Sequence, residues 1–188
     1  MSLRPGGSGV DGRMQDPAGM PLLFLDFDGV LSARNGLSFS RLPMLEAWLR
    51  KRSTVDVVVA SSWREQHPLD VLRGFFAEDL RVRVVGVTPL IKPDPWRQAE
   101  AERPPPQPIR HAEVLRWLSL SPWPGRRWAA LDDQAELYKP GAPVVICDPR
   151  VGLTQRELRK LDQLLELGDS ALDEGSKSSE TNPTGRPK

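Results

Sequence analysis

Five short apolar runs are spaced along the middle of the chain, and most end abruptly on polar residues. Leu22-Leu23-Phe24-Leu25 runs into Asp26. Val57-Val58-Val59-Ala60 runs into Ser61-Ser62, and Trp128-Ala129-Ala130-Leu131 into Asp132-Asp133. Val82, Val84 and Val85 mark the third run in chain order, and Val144-Val145-Ile146-Cys147 the fifth. Continuous apolar runs without polar alternation predict strands covered on both faces, as in a parallel sheet. Between the runs the period becomes helical. Leu45, Trp48 and Leu49 share one face, as do Leu72, Phe75 and Phe76, and again Val114, Trp117 and Leu118. After the fifth run, Thr154 and Glu157 form a T-x-x-E capping box. Leu158, Leu161, Leu164 and Leu165 supply a stripe, and Gly168 supplies a stop. Strand alternating with helix predicts a three-layer α/β sandwich with right-handed crossovers.

The flanks carry no such pattern. Residues 1–20 and 169–188 are rich in Gly, Pro, Ser and charge, and are expected to be disordered tails around one domain over residues 21–168. The first twenty residues hold no apolar stretch of the kind a secretory signal needs. Lys92 to Arg110 contains Pro93, Pro95, Pro104, Pro105, Pro106 and Pro108, which predicts a long surface loop.

Composition narrows the function. The 188 residues suit one ordinary domain. Lys and Arg number 26 against 25 Asp and Glu, so no global field argues for nucleic acid or an anionic membrane. No apolar run approaches the roughly 18–20 residues of a membrane span. A cytoplasmic location without a membrane partner is expected. One Cys excludes an internal disulfide and a Cys-based zinc cluster, and two His argue against a His-rich metal centre. Cys147 reads as a small buried hydrophobe, and His67 and His111 as surface residues.

Candidate chemistry gathers at the strand ends. Ligands of open α/β sheets bind beyond the carboxyl ends of the strands. Asp26 and Asp28 project to the same side of an extended chain, and Gly29 permits a sharp turn after them. Two close carboxylates want a cation, and Asp132-Asp133 joins them if the first and fourth strands are neighbours. Such a cluster of carboxylates without His or Cys is a hard oxygen site that suits Mg²⁺. Mg²⁺ beside a carboxylate is equipment for phosphoryl transfer. Ser61 offers a hydroxyl and nearby backbone N–H groups to phosphate oxygens. A cation is also needed. Arg110 is the first candidate, with Arg64 and Lys92 behind it.

At these residues the chain resembles the haloacid-dehalogenase (HAD) superfamily of aspartate-nucleophile phosphohydrolases. LLFLDFDGVL over residues 22–31, VVVAS over 57–61 and WAALDD over 128–133 match its first, second and fourth motifs. Arg110 is assigned to the loosely defined third, where Lys is more usual. The segments ASSWRE, GVTP, R-x-x-E-V-x-x-WL, LDD and GLT resemble a branch of small HAD-like proteins that includes HAD domains associated with RNA repair. The resemblance covers roughly residues 20 to 167. It implies a Rossmann-like fold with a five-stranded parallel sheet in the order 5-4-1-2-3. It implies Mg²⁺-dependent hydrolysis of phosphate monoesters through an aspartyl-phosphate.

Residue by residue, Asp26 would be nucleophile and metal ligand. Asp28 would be general acid/base and would lend its backbone carbonyl to the metal. Ser61 would hold the phosphate, with Ser62, Gly29 and Arg64 beside it. Arg110 would stabilise transferred charge. Asp132 and Asp133 would complete the metal shell. Residues 32–41 and 87–109 are too short for a cap domain. A capless site suits large phosphorylated substrates, including proteins and nucleic-acid ends. Nucleic-acid binding and oligomeric state are left open. The rival is a non-catalytic phosphate- or metal-binding module; a phosphoacceptor receiver domain is a third reading.

Overall fold

The first, second and fourth apolar runs become strands largely buried on both faces, whereas the third and fifth, at the sheet edges, stay partly exposed. The computed structural model describes residues 19–33, 38–91, 108–122 and 125–167. The anticipated tails up to residue 18 and from Gly168 onward lie outside the described residues, as do residues 92–107 of the Pro-rich segment, Lys92 among them. Met20, assigned to the tail, is tied down: its carbonyl accepts from the Arg126 guanidinium.

In chain order the elements are β1 (Leu22–Leu25), α1 (Leu42–Lys51), β2 (Asp56–Val59), α2 (Leu69–Gly74), β3 (Val84–Val87), α3 (Ile109–Leu120), β4 (Trp128–Asp132), β5 (Val144–Ile146) and α4 (Gln155–Leu164). The sheet is parallel throughout, in the order β3-β2-β1-β4-β5. This is the expected 5-4-1-2-3 order read from the other edge. Leu25, the last residue of β1, pairs with Val59 and with Leu131. The carboxyl ends of β2, β1 and β4 are therefore level, and the polar residues that follow them meet.

Alternation along each strand divides the core in two. Leu23, Leu25, Val57, Val59, Ala129 and Leu131 pack with α1 and α4 on one face. Leu22, Phe24, Val58 and Ala130 pack with Val114 of α3 and Tyr138 on the other. Phe24 takes the rings of Trp117 and Trp128 edge-on, each at 5.7 Å. Trp48 of α1 is buried in the first layer and donates its indole N–H to Asp162 of α4 at 2.9 Å. Arg52 grips the same carboxylate with two bonds. The capping box forms as the T-x-x-E spacing predicts, with Thr154 and Glu157 bonded reciprocally.

Three expectations shift. Val82 does not enter the third strand. It stands 79% exposed in a 3-10 turn over Glu78–Arg83, and β3 begins at Val84. The neighbouring Arg83 donates to the carbonyls of Leu49, Arg52 and Val55, which draws the turn onto the end of α1 instead. Leu164 leaves the α4 stripe. It lies about 90° round the helix from the centre of the Leu158, Leu161 and Leu165 face, and it is exposed. The second helix is shorter than its apolar period, so Phe75 and Phe76 follow α2 rather than ride on it. Among the described residues, no helix is long and apolar enough to cross a membrane.

Candidate active site

Asp26 is the first residue past β1. Its N–H still pairs with the Leu131 carbonyl at 3.0 Å, so the sheet holds its backbone. The side chain is buried, and its Oδ1 accepts the N–H of Phe27 at 2.8 Å. The Ser61 hydroxyl, also buried, hydrogen-bonds the same carboxylate from the end of β2. Burial pushes the Asp26 carboxyl above its ordinary range. Arg110 pulls it back, Asp132 adds to the push, and the Ser61 and Phe27 bonds oppose it.

Arg110, in the first turn of α3, spans the acids. Its Nη1 lies 2.9 Å from Asp26 Oδ2 and 2.6 Å from Asp132 Oδ2. Burial works against that charge, yet the two carboxylates outweigh it and hold the guanidinium above its usual range. Asp132 is fully buried. Its Oδ2 also accepts the Tyr138 hydroxyl at 3.0 Å, and its Oδ1 accepts the N–H of Gln134 at 2.9 Å. Burial and the Asp132 charge keep the Tyr138 phenol protonated, hence a donor.

The Asp133 side chain lies against Gly29, where a β-carbon would otherwise stand. Gly29 has φ +71°, and a β-carbon added there would sit 2.8 Å from the Asp133 β-carbon and closer still to its carboxylate. Only glycine lets the chain pass beneath that acid. Asp26, Asp132 and Asp133 each offer a carboxylate oxygen, all within 4.8 Å of one another. Three hard oxygen donors against one guanidinium leave an excess of negative charge when all are ionised. That donor set fits a divalent cation such as Mg²⁺.

The Asp28 side chain is not part of that cluster. It is exposed, and its Oδ2 accepts the indole N–H of Trp63 at 2.8 Å. Ser62 is exposed at the start of a 3-10 turn over Ser62–Glu65, with Ser61 as its cap. Arg64 is turned inward. It donates to the carbonyls of Ala60 at 2.8 Å, Ser61 at 2.6 Å and Thr88 at 3.1 Å, and it forms an ion pair with Glu113 of α3. Both side chains of that pair are about 5% exposed. The structure thus brings Asp26, Ser61, Arg110, Asp132 and Asp133 together with Gly29 beneath them. It sets Asp28 at the rim and commits Arg64 to backbone carbonyls.

Two residues of the site escape sequence reasoning. Tyr138 is the only Tyr of the chain and lies six residues past Asp132, a separation that carries no signal. Glu113 does leave one. It is an acid beside Val114 on the buried face of a predicted helix, and a buried acid demands a partner.

No curated protein and no solved structure matches the chain. One family model does, over residues 22–158, from the start of β1 into α4. Its description is the HAD domain in Swiss Army Knife RNA repair proteins, and its span includes every site residue described above. The match covers well over half of the chain, and the chain belongs to this family of HAD domains.

Proposed function

We propose that this domain is a Mg²⁺-dependent phosphomonoesterase that works through an aspartyl-phosphate on Asp26. The observation that carries the reading is the Asp26, Asp132 and Asp133 cluster with Arg110 bonded between two of its members. Bound Mg²⁺ would be held by these three carboxylates and would offset phosphate charge.

Asp26 attacks phosphorus, and the bond from phosphorus to the leaving oxygen breaks. Asp28 gives that oxygen a proton, then takes one from the water that attacks the aspartyl-phosphate. Inorganic phosphate leaves, and Asp26 is restored. Arg110 faces the charge that builds on the phosphoryl oxygens, and Ser61 donates to one of them. Gly29 and Ser62 offer backbone N–H groups beside it, while Arg64 keeps the Ser61 loop in place.

The substrate we favour is a phosphate at the end of a polynucleotide. The family's description supports an RNA-repair context, and the exposed rim at Asp28 suits a bulky leaving group.

The test is phosphate release from sugar phosphates, nucleotides, phosphopeptides and phosphorylated RNA ends. Release is expected with Mg²⁺, absent with EDTA, and reduced about a thousandfold or more in Asp26→Asn, which keeps the fold. Undiminished turnover in Asp26→Asn would sink the mechanism. Mg²⁺ binding without release from any substrate would favour the non-catalytic binding module.

A further inference from the structure

Asp28 differs from the other acids of the site in how it is held. Asp26 and Asp132 are buried, and each accepts several bonds. Asp28 is exposed, and its carboxylate is held by the Trp63 indole. An exposed aspartate otherwise samples several rotamers. A general acid must present its proton within about 3 Å of the leaving oxygen. Orientation is therefore worth rate, and Trp63 supplies it.

The indole is itself fixed. Its ring lies 5.1 Å from Phe39, 5.5 Å from Phe75, 6.1 Å from Phe27 and 5.6 Å from His67. Phe27 is fully buried, and it is the residue between Asp26 and Asp28. The aromatic cluster thus locks the indole from the core side, and the indole locks the acid. Packing alone would be served by Phe; the N–H is what a Trp adds.

We infer that Trp63 is a positioning residue for proton transfer by Asp28, an inference that rests on the phosphatase reading. An N–H donates and cannot accept. With Oδ2 taken by the indole, the proton that Asp28 delivers and later recovers rides on Oδ1. Trp63 therefore selects which oxygen works as well as where it points.

Leaving groups separate this role from packing. An alkyl phosphate needs a proton on its leaving oxygen, whereas p-nitrophenyl phosphate departs with little help. In Trp63→Phe, kcat/KM for an alkyl phosphate should fall about tenfold, and for p-nitrophenyl phosphate no more than about threefold. Equal falls, or none, would overturn the inference. In an Asp28→Asn background, adding Trp63→Phe should not move the alkyl-to-aryl ratio further; another tenfold drop would also overturn it.

A measurement without turnover stands beside these. The indole N–H resonance of Trp63, assigned by triple resonance, should shift in Asp28→Asn. An unmoved resonance would remove the hydrogen bond on which the inference stands. Wild-type protein inactive on both substrates and on phosphorylated RNA ends would defeat the phosphatase reading and the proton-transfer role with it. The resonance would still report whether Trp63 holds Asp28.

Discussion

Gly29 shows how much of the site depends on one missing side chain. Its φ of +71° and its closeness to Asp133 exclude a β-carbon twice over, by backbone and by space. Gly29→Ala should cost about 1–2 kcal/mol in backbone strain. It should also push Asp133 away and weaken Mg²⁺ binding about tenfold or more. Thermal denaturation with and without Mg²⁺, together with a calorimetric titration, would check both. Unaltered affinity would mean that Asp133 is not a ligand.

At this scale legibility divides by whether a residue's partner is near in sequence. Asp26, Asp28 and Gly29 lie within four consecutive positions, and a glycine after two acids at a strand end can be read directly. Arg110 is one candidate among three in the sequence, and only the fold brings it to Asp26 and Asp132. Tyr138 works through a contact that residue order does not show. Arg64 can be found as a cation near Ser61, but its turn toward the Ala60, Ser61 and Thr88 carbonyls cannot.

Among the elements, α3 reaches the candidate site through two residues one turn apart. Arg110 reaches into the acids, while Glu113 pairs with Arg64 at the exit of β2 and accepts the N–H of Ile91 after β3. The helix that delivers the cation is thereby bolted to the loop that delivers Ser61. Glu113→Ala leaves the Arg64 charge buried and the Ile91 N–H without this acceptor. A loss of about 3–5 kcal/mol is expected in urea unfolding. The Arg64→Met, Glu113→Ala double variant should cost less than the sum of its two single variants; an additive result would show the pair to be uncoupled.

The strands are easier to read than the helices. A run of four apolar residues forms its strand from its own composition, whether central and buried or at an edge and partly exposed. A helix stripe depends on what packs against it, which is why Leu164 falls outside its own stripe. Val82 departs for a different reason: an arginine next to it finds carbonyl partners at Leu49 of α1 and at Arg52 just past its end, and the turn follows.

Across the whole molecule, the candidate site gathers at the three central strands, and β3 and β5 are edges. Cys147 follows β5, and its N–H pairs with the Asp132 carbonyl at 2.8 Å. It is the only thiol. Burial first, then the nearby acids, push it up to about 12 from an ordinary 9.0. A thiol held that high keeps a thiolate fraction about a thousandfold smaller than an ordinary one at neutral pH. Its reaction with a disulfide reagent at neutral pH should therefore be at least about a thousandfold slower in the native protein than in guanidinium. Comparable rates in the two conditions would mean that the β5 edge opens readily.

Arg110 lies between Asp26 and Asp132 as a resident counter-ion. Bare acids gathered so closely would leave a domain waiting for its metal before it could fold, as many small metal-dependent domains do. Here the guanidinium already stands in that gap. The fold thus carries its own positive charge among the acids before the proposed Mg²⁺ binds.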